Sequence, residues 1–330
     1  MERQVEVLVT RRLQDEVLEQ LRRHCIVDLW QGEGAMPRAA FLQRARGKAG
    51  LLTLLTDRVD PELLDAAGEG LQVVANYAVG YDNIDVEACS ERGILVANTP
   101  DVLTESTADM AWALMLAAAR RVAEGDRFVR SGQPWIWDPG MMLGHDLHHK
   151  VLGLVGYGRI GQAMARRAQG FGMQVLYARR AVQDRPAEGS PARQVSLEEL
   201  LDMADFVSLH VPLTPETHHL IGPAELRRMK PTAILVNTAR GPVVDEAALA
   251  DALARGRILA AGLDVYECEP EVPAALRALE NVVLVPHLGS ATVDTRLAMG
   301  ALAAENLLAG VQGRCPAALV NPEAWYRKRS

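Results

Sequence analysis

The sequence predicts an α/β protein with two doubly wound parallel-sheet domains. Short apolar runs rich in β-branched residues alternate with amphipathic segments of helical length, which is the pattern of parallel β-α units. This alternation occurs twice, in two series separated by a long apolar segment. The chain has 330 residues, more than one hydrophobic core usually holds, so each series is expected to form its own domain.

The first series predicts five strands with four helices between them. The strands are expected at 5–9, 26–29, 51–55, 73–76 and 94–97, and the helices at 13–23, 37–46, 61–67 and 84–92. A connecting helix should follow, because 104–107 offers capping residues before an apolar segment that runs to about Arg130.

The second series predicts the six strands of a full dinucleotide-binding sheet. These strands are expected at 151–155, 174–178, 206–209, 233–237, 259–263 and 282–285. Residues 182–194 have the composition of a loop and should join a strand to a helix inside this domain. A further helix at 291–310 is placed to carry the chain back to the first domain.

Composition and charge limit the kinds of partner that this protein is expected to bind. The net charge of -7 gives no electrostatic footprint for nucleic acid or an anionic membrane, so a small-molecule ligand is favoured. The N-terminal residues lack a signal-peptide core and the longest apolar run, 110–119, is too short for a bilayer, which predicts a cytoplasmic protein without membrane contact. The four cysteines are far apart with no CxxC pair, so neither a metal site nor disulfides are expected.

A glycine fingerprint opens the second series. The strand at 151–155 leads into Gly156, Gly158 and Gly161 in Gly-x-Gly-x-x-Gly spacing, and a helix follows. The first glycine suits a tight turn, the second admits a pyrophosphate close to the backbone, and the third lets helix and strand pack closely. The same triplet could be a turn without a ligand, but the strand, helix and sheet around it favour a dinucleotide.

The end of the next strand bears on the choice of dinucleotide. An NAD enzyme usually places an acid there for the ribose hydroxyl, but here Arg179 and Arg180 follow the strand and no acid occurs before Asp184. Two guanidinium groups suit a 2'-phosphate, so NADP(H) is preferred. NAD(H) stays open if these arginines only solvate the loop or stack on adenine.

Three charged side chains follow strands of the second series. Reduction of a 2-keto acid requires a cation for the carboxylate, a proton donor for the keto oxygen, and a group that keeps the donor charged. Arg240, His287 and Glu269 provide these three groups. Taken singly, each also has a structural interpretation as an ion pair, a strand cap or a helix start.

With these residues in place, the sequence resembles the D-isomer-specific 2-hydroxyacid dehydrogenases, and among them the glyoxylate and hydroxypyruvate reductases. The resemblance covers essentially the whole chain. It is carried by 75–85, the glycine fingerprint, 210–213, Asn237-Thr238-Ala239-Arg240-Gly241 and Pro286-His287-Leu288-Gly289-Ser290.

The resemblance implies an architecture and an activity. A flavodoxin-like substrate domain would comprise 1–98 together with 290–330, a Rossmann cofactor domain would comprise 99–289, and the active site would lie in a cleft between them. The protein would be a homodimer. It would use NAD(P)H to reduce glyoxylate to glycolate and hydroxypyruvate to D-glycerate.

The resemblance also implies a role for each matching residue. Arg240 would bind the substrate carboxylate and keto oxygen, His287 would be the general acid, and Glu269 would favour its imidazolium form. Substrate contacts would also come from Leu55, Val79, Gly80 and, in the partner subunit's pocket, Trp137. Cofactor contacts beyond the glycines and arginines would come from Thr107, Arg159, Ile160, His210, Val211, Pro212, Thr217, Thr238, Ala239, Asp264 and Gly289.

Other activities of the same fold stay open at this stage. Phosphoglycerate and phosphite dehydrogenases resemble the chain in fold and cofactor site, whereas formate dehydrogenases replace the acid that Glu269 supplies. A corepressor-like module that senses dinucleotides is an alternative from a different class. It keeps the same three charged residues, so they do not exclude it.

Overall fold

The computed structural model describes residues 5–179 and 192–327. The chain divides into two compact units. Unit 1 comprises Met1–Leu103 and Thr292–Ser330, and unit 2 comprises Thr104–Ala291. Each unit is built on a parallel sheet, so the predicted fold class is confirmed.

Unit 1 contains a five-stranded parallel sheet of order β2-β1-β3-β4-β5. Its first strand lies inside the sheet and the chain winds outward in both directions, which places helices on both faces. The elements are β1 (Glu6–Val9), α1 (Asp15–Arg22), β2 (Ile26–Leu29), α2 (Arg38–Ala45), β3 (Gly50–Thr53), α3 (Pro61–Ala67), β4 (Val73–Asn76), α4 (Val86–Glu91) and β5 (Leu95–Ala97). Strand β3 ends at Thr53, two residues earlier than predicted, because the Leu54 N–H donates to the Asp57 carboxylate in a turn.

The end of the chain completes unit 1. Helix α12 (Val293–Val311) packs closely on the sheet, since a Cβ on Gly310 would lie 2.5 Å from the Val73 side chain. The buried Asn306 side chain donates to the Asn98 carbonyl and accepts from the Ala318 N–H, which ties the helix to the segment after β5. Helix α13 (Pro322–Arg327) follows.

Unit 2 contains a seven-stranded parallel sheet of order β12-β11-β10-β9-β6-β7-β8. Its strands are β6 (Val151–Val155), β7 (Gln174–Ala178), β8 (Ala192–Gln194), β9 (Phe206–Leu209), β10 (Ile234–Asn237), β11 (Ala260–Leu263) and β12 (Val282–Leu284). Its helices are α5 (Thr104–Ala119), α6 (Val122–Arg130), α7 (Arg159–Gln169), α8 (Leu197–Met203), α9 (Pro223–Arg228), α10 (Glu246–Ala254) and α11 (Ala274–Arg277).

Two features of unit 2 differ from the prediction. Strand β8 makes a seventh strand at the edge of the sheet, where the sequence predicted only the end of a loop, because it pairs with the well-formed strand β7. The predicted connecting helix is broken after α5, where Arg121 adopts a left-handed φ of 54°. The Ala119 carbonyl at the break accepts from the His145 N–H, so a tertiary contact replaces the continued helix. Within the described residues, no helix has the length and hydropathy needed to cross a membrane.

Candidate functional site

The glycine turn between β6 and α7 has the geometry that the spacing predicts. Gly156 adopts φ +96°, and a Cβ there would lie 2.4 Å from the His210 carbonyl oxygen. A Cβ on Gly161 would lie 2.4 Å from the Gly156 carbonyl oxygen. A Cβ on Gly158 would meet nothing within 4 Å. Gly156 and Gly161 therefore allow tight packing, whereas Gly158 borders open space at the N-terminus of α7. The first N–H groups of that helix lack acceptors within the helix.

Two stacked aromatic rings lie between the glycine turn and the end of β7. The rings of Tyr157 and Tyr177 stack at 4.0 Å between centroids, and the Arg179 guanidinium carbon lies 5.9 Å from the centroid of the Tyr177 ring. Arg179 is half-buried and directly follows β7. Arg180, the second arginine that the sequence singled out, lies outside the described residues.

The segment after β9 carries four of the predicted cofactor residues. The hydroxyl of Ser208 lies 2.9 Å from Nε2 of His210, and burial lowers the pKa of His210 to about 4, so its imidazole is neutral at neutral pH. Thr217 donates its hydroxyl to the Pro212 carbonyl at 2.6 Å and accepts from the Thr214 N–H at 2.8 Å. Thr217 thus holds the turn of Val211 and Pro212 in place from within the loop.

The turn after β10 carries Thr238, Ala239 and Arg240. The Asn237 side chain accepts from the Ala239 N–H at 3.0 Å and donates to the Arg240 carbonyl at 2.9 Å, which fixes the backbone beneath Arg240. Thr238 is buried, and its hydroxyl oxygen has no hydrogen-bond partner in the part of the chain that the structure describes.

Glu269 and His287 form a hydrogen-bonded pair. The Nδ1 of His287 lies 2.8 Å from Oε2 of Glu269, and Oε1 of Glu269 accepts from the Tyr266 N–H at 3.0 Å. Burial opposes ionisation of Glu269, but the bonds from His287 and Tyr266 and the charges of His287 and Arg240 outweigh it, so the pKa of Glu269 is lowered. The carboxylate therefore stays ionised beside the imidazole.

Asp264 anchors the turn on which His287 lies. Its buried carboxylate accepts from the N–H groups of Leu288 and Gly289, the latter at 2.7 Å, while its carbonyl accepts from the His287 N–H. Burial raises the pKa of Asp264 despite these bonds. Thr107 of α5 lies beside this turn, because a Cβ on Gly289 would be 3.4 Å from its methyl group. Thr107, Asp264 and Gly289 are thus brought together.

In unit 1, the backbone at Val79 and Gly80 presents two successive donors. The Val79 carbonyl accepts from the Asn98 side chain at 2.8 Å, and the Gly80 carbonyl accepts from Asn76 at 2.9 Å. Among the described residues, neither the Val79 nor the Gly80 N–H has an acceptor. Two N–H groups are therefore available to an oxygen atom of a ligand. Leu55 is half-buried and follows β3.

Most of unit 2 matches a known protein family. Residues 112–289 match the NAD binding domain of the D-isomer specific 2-hydroxyacid dehydrogenases. The chain belongs to the D-isomer specific 2-hydroxyacid dehydrogenase family. It is therefore an oxidoreductase of a family that acts on small 2-hydroxy and 2-keto acids, and its cofactor is a nicotinamide dinucleotide.

Individual proteins are similar to this one along nearly the whole chain. A glyoxylate reductase from Thermococcus gammatolerans is 52% identical over 322 residues, which cover 96% of each protein. The crystal structure of the TT0316 protein from Thermus thermophilus has a TM-score of 0.89 and 50% identity, covering 96% of this chain and all of that one. A NADPH-dependent glyoxylate/hydroxypyruvate reductase from Sinorhizobium meliloti, in complex with NADP and malonate, has a TM-score of 0.84 and 34% identity, covering 98% of both chains.

The residues of unit 2 fit the dinucleotide of the dehydrogenase family. The open space beside Gly158 admits a phosphate group at the start of α7. The unpartnered hydroxyl of buried Thr238 lies in the turn after β10, at the same edge of the sheet. A buried hydroxyl normally has a partner, so a polar ligand group is the expected one.

The sequence predicted most residues of the candidate site, but it did not predict the residues that position them. The residues that follow β7, β9, β10 and β11 lie at one edge of the sheet because all these strands are parallel. Arg159 and Ile160 lie in the first turn of α7. Asn237 and Tyr266, which position Arg240 and Glu269, were not predicted as site residues. An Asn at the last position of a strand was the one available signal, since Asn favours turns.

Proposed function

We propose that this dehydrogenase reduces glyoxylate to glycolate and hydroxypyruvate to D-glycerate, with NADPH preferred over NADH. The observation that carries the proposal is the Glu269–His287 pair, at 2.8 Å, on the sheet that also bears the glycine turn and Arg240. The names of the relatives support the choice of glyoxylate, and the Sinorhizobium meliloti reductase supports hydroxypyruvate and NADPH. The cytoplasmic location predicted from the sequence belongs to the same proposal.

His287 is the proposed proton donor. Its Nδ1–H donates to Glu269, so the proton that moves is on Nε2. A nicotinamide held by the residues of unit 2 would supply the hydride for the keto carbon. The keto oxygen takes the Nε2 proton as negative charge develops on it, which leaves a neutral imidazole and a hydroxy acid. Ionised Glu269 stabilises the charged imidazole before transfer and fixes the orientation of the ring.

Arg240 and the backbone of unit 1 are the proposed anion-binding groups. The guanidinium of Arg240 would bind the substrate carboxylate and polarise the keto oxygen, because its planar donors match both acceptors. The N–H groups of Val79 and Gly80 would donate to the same carboxylate, since their carbonyls are already held by asparagines. Leu55 would provide an apolar contact to the substrate.

The dinucleotide is proposed to follow the edge of the sheet in unit 2. Its pyrophosphate would lie at the glycine turn, against the N–H groups of Arg159 and Ile160. The remaining contacts are assigned to Thr107, His210, Val211, Pro212, Thr238, Ala239, Asp264 and Gly289. Thr217 would act indirectly, because its hydroxyl is used within the loop.

NADPH preference is proposed to depend on Arg179 and Arg180. An Arg179→Ala substitution should raise the KM for NADPH about tenfold and the KM for NADH less than about twofold, because only NADPH loses a charge-assisted hydrogen bond. Steady-state kinetics with both cofactors measures the difference. Arg193→Ala is the matched control, since this exposed arginine lies on the edge strand β8, next to β7, and pairs with Glu199 of α8. Equal changes for both cofactors in the Arg179 variant would exclude 2'-phosphate recognition.

The activity itself is tested by initial rates of cofactor oxidation. Glyoxylate, hydroxypyruvate, pyruvate and phosphohydroxypyruvate would each be supplied with NADPH and with NADH. Rapid turnover of the first two with NADPH is the expected result. Binding of the dinucleotide without reduction of any of these acids would contradict the proposal. Phosphite oxidation and a dinucleotide-sensing role would then be the functions to test.

A homodimer is proposed from the exposed apolar surface of α6 and the segment after it. This surface contains Val122, Val129, Trp135, Ile136, Trp137 and Leu143, with Ile136 88% and Trp137 75% exposed. Apolar patches of this kind usually mark interfaces, and Trp137 would reach the partner's substrate pocket. Sedimentation should give twice the chain mass for the native protein and the mass of one chain for a Val129→Asp/Ile136→Asp variant. A native monomer would contradict the dimer.

A further inference from the structure

We propose that Glu246 and Glu267 are positioning residues for the reaction. By exchanging hydrogen bonds, they fix the turn that carries Arg240 against the turn that carries Glu269. The inference rests on the catalytic roles proposed above for Arg240, Glu269 and His287. It adds two carboxylates that would contact neither substrate nor cofactor.

The two glutamates bond to each other's backbone. The Glu246 N–H donates to Oε1 of Glu267 at 2.9 Å, and the Glu267 N–H donates to Oε1 of Glu246 at 3.0 Å. Glu246 is buried and begins α10, so the Glu267 carboxylate also accepts one of the N–H groups that a helix start leaves unpaired. This reciprocal pair joins segments 21 residues apart in sequence.

Close packing makes the junction rigid. A Cβ on Gly241 would lie only 1.8 Å from the Tyr266 carbonyl carbon and 2.3 Å from the Glu267 nitrogen. The residue directly after Arg240 therefore rests on the backbone just before Glu269. His219 adds a second link, because its N–H donates to the Pro242 carbonyl at 2.7 Å and its Nε2 lies 3.4 Å from Oε2 of Glu267.

Tyr266 connects this junction to the catalytic pair. Its N–H donates to Glu269 at 3.0 Å, and its hydroxyl donates to the Val285 carbonyl at 3.0 Å, two residues before His287. A shift of the Tyr266–Glu267 backbone would therefore displace Glu269 and the strand end that leads to His287 together. The glutamate pair prevents that shift from the opposite side of the turn.

The reciprocal bonds do not require a carboxylate, because each of them uses one oxygen acceptor. Burial and the charges of Glu267 and Glu269 raise the pKa of Glu246, despite its bond from the Glu267 N–H. A glutamine at either position would keep the acceptor and remove the charge. An alanine would remove both. The comparison of Gln with Ala therefore separates geometry from charge.

The experiment compares Glu267→Ala, Glu267→Gln, Glu246→Ala and Glu246→Gln with wild type in glyoxylate reduction. Each Ala variant should lower kcat about 10- to 100-fold, with the KM for NADPH within about twofold of wild type. The acid limb of the pH profile of kcat should move to higher pH. A displaced Glu269 loses its bond from Tyr266, which raises its pKa, so it is protonated at a higher pH than in wild type. Each Gln variant should recover most of kcat. Glu271→Ala, an exposed acid in the same turn, is the control.

Amide hydrogen exchange measures the rigidity of the two turns independently of enzyme activity. Peptides covering 241–247 and 264–270 should exchange faster in the Ala variants than in wild type, and at the wild-type rate in the Gln variants. A Glu267→Ala protein with unchanged kcat, pH profile and exchange overturns the inference, as does a Gln variant as impaired as its Ala counterpart. If wild type reduces no keto acid, the proposed function fails, and the exchange rates still decide whether the pair fixes the two turns.

Discussion

A His287→Ala variant is expected to lose about 10²- to 10⁴-fold in kcat for glyoxylate reduction, which is the usual contribution of a positioned proton donor. The hydrogen bond between Nδ1 and Glu269 leaves Nε2 as the only ring nitrogen able to donate to substrate. Dinucleotide affinity should change little, because the turn at Gly156, Gly158 and Gly161 does not involve this side chain. Steady-state rates and a fluorescence titration with NADPH measure the two effects separately.

A matched control for this variant is His24→Gln, which replaces an exposed histidine of unit 1. Glu269→Gln should give an intermediate loss, because the imidazole keeps a hydrogen-bond acceptor but loses the negative charge beside it. A His287→Ala protein that turns over glyoxylate near the wild-type rate would rule out this residue as the acid.

An Arg240→Ala variant is expected to lose about 10²- to 10³-fold in kcat/KM for glyoxylate, because truncation leaves the substrate carboxylate without its cation. Arg240→Lys should recover only part of this loss, since an ammonium group keeps the charge but not the planar pair of donors. Kinetics with varied glyoxylate at saturating NADPH measures both variants.

The fold around Arg240 should survive the truncation. The Asn237 side chain holds the Ala239 N–H and the Arg240 carbonyl, so these two bonds keep the turn when the bond from the Arg240 guanidinium to the Ala239 carbonyl is lost. Thermal unfolding of the Arg240→Ala protein is the check on this point. Wild-type kcat/KM in a correctly folded Arg240→Ala protein would contradict the proposed substrate contact.

The predictable parts of the fold are those with local signals. The strands of both sheets, apart from β8, follow from apolar runs, and the turn at Gly156 follows from its spacing because only glycine accommodates both φ +96° and the nearby His210 carbonyl. Strand β8 and the break at Arg121 were not predictable in this way. The three residues of β8 depend on pairing with β7, and the left-handed Arg121 accompanies a bond from His145 to the end of α5.

The candidate site shows the same division. Arg240, Glu269 and His287 could be predicted because charged residues after strands of a parallel sheet gather at one edge. The side chains that hold them could not, because Glu246, Glu267 and Tyr266 act through bonds to backbone groups of distant segments. No spacing in the sequence distinguishes a glutamate that caps such a turn from one exposed to water.

The buried hydroxyl of Thr238 has a consequence for selectivity. With no partner among the described residues, this hydroxyl is available to a polar group of a ligand. A molecule that brings a polar group to this hydroxyl recovers about 1–3 kcal/mol, whereas one of the same shape without that group does not. Selectivity at this position would therefore depend on hydrogen-bonding chemistry as well as on shape, because a ligand without a matching polar group leaves the hydroxyl unpaired.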